Sequence, residues 1–231
     1  MATSDIMPSP SDLLCECHFD IGVSSLGGEY SSNEDYCIAS AIDGGERLAL
    51  TLADGIGSEP LGRAVSRLVC LSAQASLSSG KSVEEAFGAG LREIRSFLRE
   101  TNSPRSGAAL LVAKCSSGNV RLAFVGDCRA ALIRDSALYW LNLPDKVPGT
   151  SRLTSAVGAD MVTRPNVIEQ DLAKGDILVF MTDGATDTLD SMAIVETVVS
   201  APSALVAAKS LARNAREVGK DDATAVVARF H

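Results

Sequence analysis

Residues 48–55 read LALTLADG, an apolar run that ends in an aspartate and a glycine. The pattern returns at residues 177–184, ILVFMTDG, and without the final glycine at residues 122–127, LAFVGD. Acidic pairs also stand directly before two other apolar stretches, at Glu34-Asp35 and Asp221-Asp222. Asp-Gly alone is a common hairpin turn, so each aspartate taken singly is more simply a turn residue. Taken together, the repeated pattern predicts strand ends that converge on one edge of a sheet.

Carboxylates that converge in this way need a counter-charge. Two of them about 4 Å apart repel by about 4 kcal/mol at an effective dielectric of roughly 20. They must therefore bind protons or a divalent cation. Ligation by oxygen alone suits Mg²⁺ or Mn²⁺ better than zinc. A glycine after the aspartate also opens the backbone to a ligand, which would free the carbonyl of Gly55 to bind a metal.

Composition excludes several classes of protein. The 231 residues include 21 Lys and Arg against 29 Asp and Glu, a net charge of −8, which argues against a nucleic-acid or membrane-surface partner. No apolar run approaches the ~18 residues of a membrane-spanning helix, and the first residues lack a signal-peptide pattern. Six cysteines lie scattered in apolar stretches, and no second pair faces the Cys15–His18 cluster at zinc spacing. We therefore expect a cytoplasmic protein with reduced, buried thiols.

The order of the periodic segments predicts the fold class. Period-two segments predict strands at residues 15–23, 35–42, 47–52, 108–114, 120–125, 129–134, 137–141, 167–172, 176–182 and 223–230. Period-3.6 segments predict helices at residues 61–75, 83–98, 191–199 and 203–218. Strands and helices come in groups, which favours an α+β fold of antiparallel sheets covered by helix pairs.

The expected organisation is one domain, residues 13–231, behind a flexible Ser/Pro-rich segment, residues 1–12. Hairpin turns are predicted at Asp43-Gly44-Gly45 and at Lys174-Gly175. The second of these would pair the segment at 167–172 with that at 176–182. Residues 142–166 form a polar connection in this interpretation.

The acidic motifs resemble, in their order along the chain, those of the metal-dependent serine/threonine protein phosphatases, the type 2C (PPM) family. They are Asn33-Glu34-Asp35, Ala53-Asp54-Gly55-Ile56-Gly57, Val125-Gly126-Asp127-Cys128-Arg129, Thr182-Asp183-Gly184 and Asp221-Asp222-Ala223-Thr224. Any one motif is weak evidence, but five in the right order are specific. The resemblance covers roughly residues 15–231, which is most of the chain.

The resemblance implies a four-layer α/β/β/α sandwich, with two antiparallel sheets between helix pairs and a metal cleft at one edge. Asp54 would bridge two metal ions, Mn²⁺ or Mg²⁺. Asp183 and Asp221 would complete the first ion, and the Gly55 carbonyl would bind the second. Asp127 would bind a possible third, weaker ion.

The resemblance also implies the activity. Glu34 and Asp35 would hold metal-bound water, and Asp54 and Asp183 would act in catalysis through metal-bound water. That water would attack phosphoserine or phosphothreonine in a protein substrate, with no covalent enzyme intermediate. The expected protein is a monomer that opposes a serine/threonine kinase.

Three departures from the family pattern bear on the substrate. Many members carry an arginine three residues before the Asn-Glu-Asp motif, where Tyr30 stands here, and tyrosine lacks the bidentate guanidinium fork that grips phosphate. Arg63, Arg105 and Arg129 are alternative candidates to bind the phosphate, although a structural role is the simpler interpretation of Arg129. Asp222 stands where asparagine is usual, and an extra carboxylate there would tighten or crowd the metal site.

The third departure is length. Residues 142–152 leave no room for the helical flap that many bacterial members insert near the cleft. The reduced flap predicts a more open cleft in which Pro144–Thr150 and neighbouring loops choose the substrate, and a merely trimmed loop is the plainer interpretation.

Two other functions stay open at this point. Tyr30 motivates a catalytically weak phosphatase-fold module that regulates or binds a partner. Hydrolysis of a small phosphorylated metabolite is the third possibility. Turnover of phosphopeptides with Mn²⁺ separates all three.

Overall fold

The structure is a computed structural model that describes residues 19–29, 33–56, 61–150, 152–158, 161 and 164–230. The flexible segment predicted at residues 1–12, the Cys15–His18 cluster and Tyr30 lie outside the described residues. Four cysteines fall within them, namely Cys37, Cys70, Cys115 and Cys128, and all four are free thiols as predicted.

The described residues form eleven strands in two antiparallel sheets. The strands are β1 (Phe19–Leu26), β2 (Asp35–Ile42), β3 (Arg47–Gly55), β4 (Gly107–Cys115), β5 (Asn119–Val125), β6 (Arg129–Arg134), β7 (Ala137–Trp140), β8 (Val157–Gly158), β9 (Asn166–Asp171), β10 (Ile177–Met181) and β11 (Ala223–Phe230). The first sheet has the order β1-β11-β10-β6-β7. The second has the order β2-β3-β4-β5-β9, with β8 paired to β4.

Helices cover the outer face of each sheet. They are α1 (Gly62–Ser78), α2 (Val83–Glu100), α3 (Asp183–Thr186), α4 (Ser191–Ser200) and α5 (Ala204–Val218). Helix α2 begins in a capping box, in which the Ser82 hydroxyl accepts from the Glu85 amide and the Glu85 carboxylate accepts from the Ser82 amide. The helices α1 and α2 share an apolar core with β3, β4 and β5, and α4 and α5 share one with β10 and β11.

Strand β3 shows how alternation builds the layers. Leu48, Leu50 and Leu52 point into the core between the two sheets, whereas Ala49 and Ala53 point toward α1 and α2. Both faces are buried, so the strand reads as one continuous apolar run. The predicted four-layer sandwich of the α+β class is confirmed.

Every predicted strand and helix overlaps an observed element, but one predicted pairing is wrong. Strands β9 and β10 do not form a hairpin: β9 pairs with β5 in the second sheet, and β10 pairs with β6 and β11 in the first. The Lys174-Gly175 turn carries the chain from one layer to the other. A turn motif fixes the reversal of the chain but not the strand's partner, which is set by burial against the inter-sheet core.

Two short elements were not predicted. Strand β8 lies within the segment taken as a polar connection, and α3 begins inside the Thr-Asp-Gly motif. Both are too short for periodicity to reveal. Among the described residues, no helix combines the length and hydrophobicity needed to cross a lipid bilayer.

Candidate metal centre

Three aspartates from three of the motifs meet at one edge of the sandwich. Asp54, Asp127 and Asp183 each bring a carboxylate oxygen within 4.8 Å of the others. Asp54 lies near the end of β3, Asp127 follows β5, and Asp183 follows β10 in the opposite sheet. The convergence of strand ends inferred from the sequence is therefore present, and it involves both sheets rather than one.

These aspartates line a cleft of about 480 Å³. The other lining residues are Glu34, Gly55, Ile56, Arg152, Leu153, Met161, Asp221 and Asp222. Of the residues proposed from the sequence to hold metal or its water, only Asp35 lies behind the cleft wall. It is buried and sits opposite Asp54 in the β2–β3 register.

Gly126 sets the position of Asp127. Its φ of +87° is in the left-handed region, and a Cβ there would lie 2.5 Å from the Cβ of Ala109, so only glycine fits without strain. The Asp145 amide donates to the Gly126 carbonyl at 2.8 Å, and the Gly126 amide donates to Oδ2 of Asp145 at 3.2 Å. The turn that carries Asp127 is thus fixed to the loop that follows β7.

Gly184 brings the third motif against the last one. A Cβ at this position would collide with the backbone carbonyl of Asp222. The close approach that glycine allows places Asp183, the first residue of α3, beside the loop that carries Asp221. This explains why glycine follows the aspartate here, although the sequence alone suggested only an open backbone.

Asp35 connects the two sheets behind the cleft. Its Oδ2 accepts a 2.8 Å hydrogen bond from the Thr182 hydroxyl, while its buried Oδ1 has no hydrogen-bond partner among the described residues. Burial raises the pKa of Asp35 to about 8, against hydrogen bonds from Thr224 and Thr182 that lower it. The negative charges of Asp222 and Asp183 raise it further.

The carboxyls that line the cleft also have raised pKa values. Burial, followed by the charges of Asp35 and Asp183, raises the pKa of Asp54 well above its usual range. Burial and the charge of Asp183 raise the pKa of Asp127 to about 7, although the Lys146 ammonium opposes this. Burial also raises the pKa values of Asp221 and Glu34. Carboxylates that are this costly to ionise are suited to bind a divalent cation.

Asp222 lines the cleft, and its carboxylate accepts hydrogen bonds from the backbone of the neighbouring loop. Its Oδ1 accepts from the Gly28 amide and its Oδ2 accepts from the Glu34 amide, both at 2.6 Å. Each oxygen is therefore held by an N–H group, and the side chain fixes the segment that carries Glu34. The departure from asparagine thus supplies a second carboxylate acceptor for this loop.

The three arginines considered from the sequence do not line the cleft. The guanidinium of Arg129 stacks on the ring of Trp140, 3.4 Å from its centroid, and donates to the Asn142 carbonyl at 3.4 Å. These contacts favour a structural role for Arg129 over a role in binding phosphate. Arg63 and Arg105 are exposed residues outside the cleft lining.

Arg152 and Lys146 are the cations that the structure brings to the site, and the sequence reasoning missed both. Arg152 lines the cleft, and no carboxylate of the described residues lies within 4.0 Å of its guanidinium. The Lys146 ammonium lies 2.8 Å from Oδ2 of Asp187, 3.7 Å from Oδ2 of Asp127 and 4.0 Å from Oδ2 of Asp183. Both belong to the irregular loop after β7, where no periodic pattern singles out a residue.

Comparison with known proteins identifies the family. The sequence pattern of the family described as Protein phosphatase 2C matches residues 28–219 of this chain. The chain therefore belongs to the protein phosphatase 2C family. This membership confirms the assignment made from the motifs and favours a phosphatase over the binding-module alternative. No curated protein matches the chain.

Solved structures share the fold throughout. The Mycobacterium tuberculosis serine/threonine phosphatase PstP/Ppp is 24% identical, with a TM-score of 0.81 over 92% of this chain and 99% of that one. The catalytic domain of PstP in complex with two manganese ions is 24% identical, with a TM-score of 0.79 over 91% and 97%. The S. agalactiae serine/threonine phosphatase is 18% identical, with a TM-score of 0.82 over 92% and 100%.

Proposed function

We propose that this protein hydrolyses phosphoserine and phosphothreonine in protein substrates with two divalent metal ions, Mn²⁺ or Mg²⁺. The observation that carries the proposal is the cluster of Asp54, Asp127 and Asp183, with oxygens within 4.8 Å of one another, in the cleft of a phosphatase-family fold. A serine/threonine kinase that modifies the same substrate would be the opposing partner.

The donor set fits divalent ions of this kind. The side-chain oxygens that line the cleft all belong to carboxylates, which Mg²⁺ and Mn²⁺ prefer as ligands. Burial and neighbouring carboxylates raise the pKa values of Asp54 and Asp127, and a divalent cation would supply positive charge that favours their ionised form. The two manganese ions bound by the PstP catalytic domain support the number of ions.

The proposed ligand roles are those that the resemblance to the family implies. Asp54, a member of the cluster, would be shared by the two ions. Asp183 and Asp221 would complete the first ion, and the backbone carbonyl of Gly55 would bind the second. When bound, the ions would act as Lewis acids that generate the attacking nucleophile from water near neutral pH and offset charge on the phosphoryl group.

Glu34 and Asp35 would orient water from the second layer of the site. Asp222 fixes the backbone of Glu34, and the Thr182 hydroxyl fixes one oxygen of Asp35. The other oxygen of Asp35 is a buried acceptor free to take a proton or a hydrogen bond. Such positioning groups control how accurately the nucleophile is aligned with phosphorus.

We propose that Arg152 binds the substrate phosphate. Many family members use an arginine at the position of Tyr30 for this role. Arg152 lines the same cleft as the three aspartates and has no ion-pair partner among the described residues. A guanidinium can hold two phosphate oxygens at once. Because Arg152 lies at the end of the short segment 142–152, we also propose that this segment replaces a larger flap and leaves the cleft open.

The proposal is tested by hydrolysis of a phosphoserine or phosphothreonine peptide with Mn²⁺. We expect turnover that a chelator abolishes and that Asp183→Asn reduces by at least about a thousandfold, because a ligand of the ions loses its charge. The control is Asp171→Asn, an exposed aspartate on β9 away from the cleft, which leaves turnover unchanged.

Two outcomes would redirect the proposal. Manganese binding without turnover above the Asp183→Asn background would favour a regulatory or binding module. A strong preference for a small phosphorylated metabolite over phosphopeptides would replace the protein substrate with a metabolite while keeping the metal chemistry.

A further inference from the structure

The Lys146 ammonium lies beside the proposed metal centre, within 4.0 Å of three carboxylates. It is 2.8 Å from Asp187, 3.7 Å from Asp127 and 4.0 Å from Asp183. Only 15% of the side chain is exposed. Within the described residues, Lys146 is the only cationic side chain that pairs with any of these three aspartates.

We propose that Lys146 is a built-in cation that takes the place of a third metal ion beside Asp127, so that the protein binds two divalent ions rather than three. This inference rests on the proposed function and revises one expectation from the sequence, in which Asp127 binds a third, weaker ion.

The backbone holds Lys146 firmly in this position. Lys146 forms an isolated antiparallel bridge with Leu153, which closes a small loop. The Thr154 amide donates to the Asp145 carbonyl at 2.7 Å, and the Asp145 amide donates to the carbonyl of Gly126 at 2.8 Å. Lys146 is thus attached through its neighbour to the same glycine that orients Asp127, so cation and carboxylate are placed as one unit.

A divalent ion and this ammonium cannot share the site. A small hard cation binds carboxylate oxygens at about 2.0–2.6 Å. The ammonium already lies 3.7 Å from Oδ2 of Asp127 and 4.0 Å from Oδ2 of Asp183, beside the carboxylates that a third ion would need. An ion bound to the same oxygens would meet a like charge at close range. The lysine must leave before the ion can enter.

In this proposal Lys146, rather than a metal ion, supplies the positive charge beside Asp127. A metal ion at a weak site comes and goes with its concentration, whereas the lysine is present on every molecule. Lys146 offsets part of the negative charge on Asp127 and Asp183. Asp54 and Asp221, which form no ion pair with Lys146, stay available for the two ions of the proposed function.

Metal stoichiometry tests this inference without measuring activity. Equilibrium dialysis against Mn²⁺, up to a concentration that saturates weak sites, is applied to the wild type, Lys146→Gln and Lys209→Gln. Lys209 is an exposed lysine on α5 and serves as the matched control. We expect two manganese ions in the wild type and in Lys209→Gln, and three in Lys146→Gln.

Further variants make the result specific. Lys146→Arg keeps the positive charge and should bind two ions, and Lys146→Gln combined with Asp127→Asn should lose the third ion or bind it at least tenfold more weakly, because Asp127 is the residue expected to hold that ion. Three ions in the wild type, or two in a folded Lys146→Gln, would overturn the inference and leave the proposed function standing. If Lys146→Gln does not fold, the wild-type count still decides. No manganese in the wild type would overturn the proposed function itself.

Discussion

The hydroxyl of Thr182 donates a 2.8 Å hydrogen bond to Oδ2 of Asp35, and this bond joins the two sheets directly behind the acidic cleft. Thr182 follows β10 in one sheet, and Asp35 begins β2 in the other. The same hydroxyl oxygen accepts the Thr224 amide at 3.0 Å, which adds β11 to the connection. One buried hydroxyl thus holds three strands in register where the proposed metal ligands emerge.

Replacing this hydroxyl should weaken the fold at the site. Thr182→Val keeps the shape of the side chain but leaves a buried carboxyl and a buried amide without their partner. We expect the free energy of unfolding of the metal-free protein to fall by about 1–3 kcal/mol. Urea denaturation measures the change. Thr197→Val on α4, where the structure shows no side-chain hydrogen bond, is the control and should change stability by less than about 0.5 kcal/mol.

Asp221 and Asp222 are adjacent carboxylates, and replacing each of them should change the stability of the metal-free protein differently. Asp222→Asn loses one of two acceptors for the Gly28 and Glu34 amides, so the metal-free protein should be destabilised by about 1–2 kcal/mol. Asp221→Asn removes a carboxyl whose pKa is raised by burial, so it should leave metal-free stability unchanged or increase it.

Manganese binding completes that comparison. Asp221→Asn should weaken binding by at least about tenfold because a proposed ligand is lost, as measured by titration calorimetry. Equal loss of metal-free stability in both variants would contradict the distinct roles assigned to the two residues.

The stability of the metal-free protein should depend on pH in a defined direction. The pKa of Asp35 is raised from 3.8 to about 8 and that of Asp127 from 3.8 to about 7, so the folded state binds more protons than the unfolded state between these values. Protonation of Asp35 and Asp127 therefore stabilises the folded state. This contribution is fully present below about pH 4 and is lost as the pH rises through about 7 to 8. Thermal unfolding in a chelator should therefore show a melting temperature that falls from about pH 5 to about pH 8.

Two further measurements sharpen this test. Asp35→Asn should reduce the slope, whereas Asp171→Asn should leave it unchanged. Added Mn²⁺ binds the ionised carboxylates, so the rise in melting temperature that it causes should grow with pH over the same interval. A melting temperature in chelator that rises across this interval would show that the acidic cluster is already neutralised by other means.

The sequence was informative where residue chemistry repeats. The apolar run at residues 47–52 predicted strand β3, and the aspartates at strand ends predicted that these ends would converge on one edge of a sheet. Both follow from local patterns, because side-chain alternation and turn residues are properties of adjacent positions. The pairing of β9 with β5, by contrast, depends on the distant inter-sheet core, and the Lys174-Gly175 turn pointed to the wrong partner.

The parts of the site that were missed depend on long-range contacts of single residues. Lys146 and Arg152 lie in an irregular loop with no periodicity, and their proximity to the aspartates comes from the bond between Asp145 and Gly126. Asp222 was recognised as an unusual carboxylate, but its two amide partners are separated from it by 194 and 188 positions along the chain. Residue spacing in the sequence does not predict contacts between positions so far apart.

Replacing Arg152 should change substrate binding, whereas replacing Arg129 should change the stability of the fold. Arg152→Met should raise KM for a phosphopeptide by about tenfold or more, because a guanidinium that contacts phosphate contributes about 1.5–3 kcal/mol, and should leave the melting temperature unchanged. Arg129→Met removes the contact with Trp140 and should lower the free energy of unfolding by about 1–2 kcal/mol with KM unchanged. Steady-state kinetics and urea denaturation of both variants give the comparison. A higher KM in Arg129→Met but not in Arg152→Met would return the phosphate grip to Arg129, the alternative that the sequence left open.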